Sequence, residues 1–251
     1  MASGVSFDKE TWQKFIKIID EIGKTCTDVE IQEGKIRQLN NSRTTAYQCD
    51  LGIPELSIKI ALVKNLIPIL KVFTPQNDED KVDILIEDDS YAIKDKYSTV
   101  SVRSPISIQN EYITDDKFNQ IGFNTGTDIF KFKMPEIVYS RISVIKNNFS
   151  TLTLGIEIKE TAALKITSWS KTMKSKLYSN IPLLEKGDEY QKNYVCGTDA
   201  FDMPLEGEID FCFRCTSSGI FIVEVSGVYQ DVPITTFIRA MEDDKAPSQS
   251  Q

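Results

Sequence analysis

Histidine is absent from this 251-residue chain. Its absence removes the usual general base, and with it the Ser-His-Asp, Cys-His and His-metal arrangements, so any catalysis would rest on carboxylates or lysine. Acidic pairs stand at Asp88-Asp89, Asp115-Asp116 and Glu242-Asp243-Asp244, each in a polar stretch that reads as a solvated turn or tail. No catalytic residue is assigned. Cysteine is scarce, and the five present, Cys26, Cys49, Cys196, Cys212 and Cys215, are odd in number and scattered. That argues against a secreted disulfide framework and makes reduced thiols the default. Cys212 and Cys215 have the spacing of half a zinc site, but no second pair and no histidine completes it; neither metal nor cofactor is expected. Long apolar runs are missing as well. Nothing approaches the ~20 residues needed to cross a bilayer, and the first eight residues lack the basic-then-apolar run of a secretory signal. We expect no membrane partner and a cytoplasmic protein, placed in the host cytoplasm or a phage nucleus if the origin is viral.

Basic charge is also in deficit: 29 Lys and Arg face 37 Asp and Glu, a net charge of -8. Such a balance counts against a nucleic-acid binder unless the positive charge is gathered on one surface, because phosphate contacts are the main source of non-specific affinity. The composition, 41% hydrophobic and 26% charged, belongs to a soluble globular protein of one large domain or two ordinary ones.

Along the chain, the first element is a helix over 8–23, with Ser6 or Asp8 as cap and Gly23 as terminator. At about 100° per residue, Trp12, Phe15, Ile16, Ile18, Ile19 and Ile22 share one side, while Lys9, Gln13, Lys14, Lys17, Asp20, Glu21 and Lys24 share the other. Alternating runs at 29–31, 35–39, 45–51 and 56–62 read as antiparallel strands, broken by Glu33-Gly34 and Asn40-Asn41-Ser42. A second helix is expected over 63–73 despite Pro68, with Lys64 and Lys71 on a common face. Strands at 81–86 and 99–106 follow. Residues 107–128 are polar and turn-prone around isolated Tyr112, Ile113, Phe118 and Ile121, and read as an interdomain connector.

The second half begins as the first did. A strand over 129–134 leads into a helix opened by Pro135, whose apolar side carries Ile137, Val138, Ile142, Val144, Ile145 and Phe149 and whose wet side carries Tyr139, Ser143, Lys146 and Asn147. Arg141 falls in the apolar arc. Strands recur at 151–158, 163–169, 174–181, 208–214, 220–226 and 232–239, whereas 194–205, with Gly197 and Pro204, would make a poor helix. The expected organisation is therefore 1–106, connector 107–128, 129–242 and a polar tail 243–251.

This layout resembles the DNA sliding clamps, the polymerase processivity factors, especially the two-domain, three-subunit kind of T4-like phages and of proliferating cell nuclear antigen. Local echoes are Phe130-Lys131-Phe132-Lys133-Met134-Pro135, the run 153–165, and the ending Phe237-Ile238-Arg239-Ala240-Met241-Glu242-Asp243-Asp244. The resemblance implies an α+β fold of two similar clamp domains, helices lining a ring interior and antiparallel sheets outside. It implies a non-enzymatic homotrimer that encircles duplex DNA without reading sequence and serves a DNA polymerase and a clamp loader. On the matching positions Lys14, Lys17, Lys24, Lys64, Lys71 and Lys146 would face DNA. Leu39, Tyr112, Phe118, Ile220, Phe237 and Met241 would receive partner peptides. The strands at 99–106 and 174–181 would be edges that join subunits. The shortened element at 194–205 points to a viral or phage clamp. The rival readings are a non-enzymatic phage structural or interaction protein and a carboxylate-and-metal enzyme.

Overall fold

The computed structural model describes residues 3–123, 126–146, 151–158, 162–169, 174–180, 183–185, 191–197 and 201–242, with side-chain surroundings given for 4–123, 126–144, 196 and 201–241. Contacts divide the chain into two compact units, Met1–Thr114 with Gln230–Ile234 and Asp115–Tyr229 with Thr235–Gln251. The tail 243–251 lies outside the described residues.

In the first unit the order is β1 (Ser3–Phe7), α1 (Lys9–Ile22), β2 (Val29–Gln32), β3 (Lys35–Leu39), β4 (Thr45–Asp50), then β5 (Ile58–Ile60), α2 (Val63–Val72), β6 (Val82–Ile86), β7 (Ser90–Lys94) and β8 (Thr99–Arg103). A strand, a helix and three strands thus occur twice within one unit, a finer repeat than the one per half that the sequence pattern suggests. The two copies exchange leading strands: β1 pairs antiparallel with β6 and β5 with β2. Two four-strand paths result, β1-β6-β7-β8 and β5-β2-β3-β4.

The second unit holds α3 (Asp115–Ile121), β9 (Thr127–Pro135), α4 (Glu136–Lys146), β10 (Thr151–Ile158), β11 (Ala162–Trp169), β12 (Lys174–Asn180), β13 (Leu183–Glu185), β14 (Gln191–Gly197), β15 (Glu206–Cys215), β16 (Phe221–Tyr229) and β17 (Val232–Glu242). Here β9 pairs with β15 and β14 with β10, so the paths β12-β11-β10-β14 and β9-β15-β16-β17 reproduce the scheme of the first unit. The place of a second helix falls between β14 and β15. Of that stretch residues 201–205 are described, with Phe201 in a 3-10 turn.

Local chemistry sets these elements. Asp8 caps α1 by accepting from the Thr11 amide at 2.8 Å, a bond that holds its carboxyl below the usual range. All six residues of the apolar arc of α1 are buried. Trp12 and Phe15 meet Phe7 of β1, with ring centroids 5.2 and 5.4 Å away. The β2–β3 turn has Glu33 and Gly34 both at positive φ, 50° and 73°, the signature of a two-residue type I′ hairpin. In the second unit, β9 lays Phe132 opposite Phe211 and Phe130 opposite Phe213 of β15. Their rings stack at 4.5 and 5.1 Å.

Gly23 terminates α1 as expected, and the face of α4 is a correction. Gly23 ends α1 in ordinary right-handed backbone at φ -62°; the glycine is needed because a Cβ there would lie 2.6 Å from Cγ1 of Val63. The phase of α4 is rotated from the expected one: Ile142 is buried and Val138 half-buried as expected, but the rest of the apolar arc that is described is not. Tyr139 is buried, and its hydroxyl donates to the Met203 carbonyl at 2.8 Å, whereas Ile137, Arg141 and Val144 are exposed.

Candidate nucleic-acid interface

The lysine face of the first unit is built on α1 and α2, which pack together and bury their apolar stripes. Most of its cations are already neutralised. Lys14 lies 2.7 Å from Glu10 and 2.8 Å from Asp231, and those hydrogen bonds raise its pKa. Lys17 donates to Oε1 of Gln230 at 2.8 Å. Gln230 and Asp231 form a turn with positive φ at both residues, 53° and 61°, a conformation non-glycine residues seldom adopt. Two of the six predicted lysines therefore hold a strained turn.

Lys24 pairs with Glu21, and Lys71 reaches Asp20 at 3.0 Å, tying α2 to α1. Lys64 is exposed and makes no ion pair among the described residues. With Lys24 it lines an open cavity of about 200 Å³ that also involves Thr27, Asn41 and Asn65. The cavity sits at the start of α2, where Leu62 occupies the cap at φ 49° with no side-chain hydrogen bond to the helix. The Val63, Asn65 and Leu66 amides of this first turn are taken by the Thr27 and Leu62 carbonyls, so an anion here would rest on the two lysines and the positive end of the helix macrodipole. Lys146 ends α4, and its side chain lies outside the described residues. Arg141, set aside on sequence, is an exposed cation of that helix among the described side chains.

The residues predicted for partner peptides divide between the units. Leu39 and Tyr112 are half-buried in the first. Around them the chain at 108–113 is tied to β2 and β3 by buried polar groups. The two carboxylate oxygens of Asp28 accept from the Leu62 and Gln109 amides, Glu30 accepts from the Tyr112 amide, and the Asn110 side chain bridges the Thr27 and Asp28 amides and the Leu39 carbonyl. In the second unit Phe118 and Phe237 are brought together, ring centroids 5.1 Å apart at 81°, with Phe123 beside them. Both are interior side chains, so Phe118 is packing and not an open flap. Ile220 is half-buried and Met241 is 70% exposed. The tie formed by Asp28, Glu30 and Asn110 was missed on sequence, where it reads only as polar strand and loop.

Cys212 donates to Oδ1 of Asp128 at 3.2 Å, and burial pushes its thiol up to about 11. It is a protonated hydrogen-bond donor. Among the described residues no group of three or more His, Cys, Asp or Glu could hold a metal ion, and no helix is long and apolar enough to cross a membrane.

No protein-family model matches the chain, and no curated protein matches it. Solved structures do. Proliferating cellular nuclear antigen from Entamoeba histolytica is 10% identical, with 96% of this chain and 100% of that one aligned at a TM-score of 0.64. The PCNA2-PCNA3 complex from Sulfolobus tokodaii is 15% identical over 94% and 98%, with a TM-score of 0.63. PCNA from Thermococcus kodakaraensis is 12% identical over 95% and 99%, with a TM-score of 0.64. At these identities the likeness is one of fold, and it extends over nearly the whole of each chain: two similar α+β units of helices and antiparallel sheets, the clamp fold of proliferating cell nuclear antigen.

Proposed function

We propose that this chain is a sliding clamp, which closes with copies of itself into a homotrimeric ring around duplex DNA and tethers a DNA polymerase for processive replication, without catalysis of its own. The observation that carries this reading is the fold, matched end to end. The open cavity that Lys24 and Lys64 share at the start of α2 supports it as a place for a backbone phosphate. A ring reconciles DNA binding with the net charge of -8, since charge outside the ring need not approach phosphate. Retention by topology needs only weak, sequence-independent contacts, and a lining whose lysines are largely paired within the protein suits that need. Loading requires a clamp loader. Partner peptides dock on the second unit, with Met241 and Ile220 as accessible anchors.

Replacing Lys64 and Lys71 together by Glu tests the lining. Assembly and thermal melting should be preserved, because exposed charge changes usually move stability by about 0.5 kcal/mol or less, while stimulation of the cognate polymerase on a primed template falls. Unchanged stimulation at every salt concentration would remove these lysines from the DNA face.

A further inference from the structure

Gln230 and Asp231 make the two-residue loop between β16 and β17, and both stand at positive φ, 53° and 61°. That is the geometry of a type I′ hairpin turn, whose preferred residues are Asn-Gly. Gln is a poor choice there, since it has neither glycine's lack of a Cβ nor the short polar side chain with which Asn and Asp bond locally in left-handed backbone. A turn composed against its backbone preference points to a use outside the turn. Both side chains reach α1. Oε1 of Gln230 accepts from Lys17 at 2.8 Å, and the Asp231 carboxylate lies 2.8 Å from Nζ of Lys14. The turn and the helix belong to the same compact unit.

Charge and layering give this contact its meaning. Residues 9–24 carry Lys9, Lys14, Lys17 and Lys24 against Glu10, Asp20 and Glu21, an excess of one positive charge that Asp231 cancels. Lys14 is bracketed by two carboxylates, Glu10 at 2.7 Å and Asp231. Asp231 is the outer partner: its side chain is 82% exposed, whereas that of Lys14 is 26% exposed. An anion approaching α1 from solvent therefore meets the carboxylate before the ammonium. Exposed ion pairs contribute little, so a phosphate can take the place of Asp231 on Lys14.

We propose that Asp231 stands in for a DNA phosphate on Lys14, a built-in counter-ion that lowers the affinity of α1 for a phosphodiester backbone and is displaced when the helix meets duplex DNA. This deepens the ring reading and rests on it. A lysine that binds phosphate neutralises it and releases an ion from the DNA, which supplies affinity and its salt dependence. Lys14 must first give up a carboxylate that is tethered to the chain and cannot diffuse away, so its net gain is small. Lys17, partnered by a neutral amide, keeps its charge for long-range attraction. The α1 face thus attracts duplex yet holds it weakly.

The test is equilibrium binding of a fluorescently labelled DNA duplex to the full chain over a series of salt concentrations. Asp231→Asn removes the charge and keeps a residue type that tolerates positive φ. It should melt with the parent, bind at least about threefold tighter at low salt, and lose affinity with salt more steeply, by up to the ~0.9 in log-log slope of one phosphate contact. Adding Lys14→Gln should abolish the gain. Glu55→Gln, which neutralises an exposed carboxylate in the β4–β5 loop, should give much less. An equal gain from Glu55→Gln would assign the effect to net charge and overturn the counter-ion, as would a gain that survives Lys14→Gln. Asp231→Asn binding no better than a parent that does bind duplex would overturn it too, and leave the ring reading standing. No binding by the parent or any variant, even at low salt, would defeat the ring reading and this proposal with it.

Discussion

Single atoms decide several features of this molecule. Gly23 leaves room for Val63, whose Cγ1 would stand 2.6 Å from an added Cβ. Gly23→Ala should cost about 1–3 kcal/mol through overpacking, read by chemical denaturation, and Val63→Ala in the same chain should return part of it. Equal losses with and without the Val63 change would place the strain elsewhere. Met241, at the other end of the chain, is exposed on β17 while its backbone pairs with Val195 of β14. Because β17 runs to Glu242, a deletion intended to spare the sheet must begin at Asp243. Met241→Ala combined with removal of 243–251 should leave thermal melting unchanged and weaken binding of a polymerase-derived peptide at least several-fold. Undiminished affinity would move the docking site off the end of β17.

At the level of elements, α4 separates what sequence periodicity can resolve from what it cannot. The hydrophobic face of α1 is six residues wide and all buried, so its phase was legible. On α4, Ile142 is buried as expected, but Ile137 and Val144 are exposed while Tyr139 is buried, so a pattern that counts apolar residues is turned off the true face when a hydroxyl finds an interior carbonyl. Tyr139→Phe should cost about 1 kcal/mol by removing its bond to the Met203 carbonyl, which keeps the one from the Leu205 amide, whereas Arg141→Ala should stay within about 0.5 kcal/mol. The reverse order in denaturant titrations would restore the expected phase. Short strands were the other loss. Neither β1 nor β7 gave a run long enough to be read as a strand, and α3 is seven residues held mainly by Phe118. The edge positions of β8 and β12 follow the resemblance closely. The lysine stripe was legible too, but its pairing with Glu10, Asp20, Glu21 and Asp231 was not, because ion pairs between helix and turn depend on tertiary placement.

For the whole molecule, the same scheme of exchanged leading strands recurs in both units, and α1, α2 and α4 each follow a leading strand. In the proposed reading, ring closure is what would keep this acidic protein on DNA, and every other part of that reading depends on it. The most direct measurement is electron microscopy of the purified protein at micromolar concentration and moderate salt. The account predicts closed rings of three chains, six-fold in appearance because each chain contributes two similar units, around a hole wide enough for duplex DNA. Compact single chains or open filaments under all concentrations tested would contradict it.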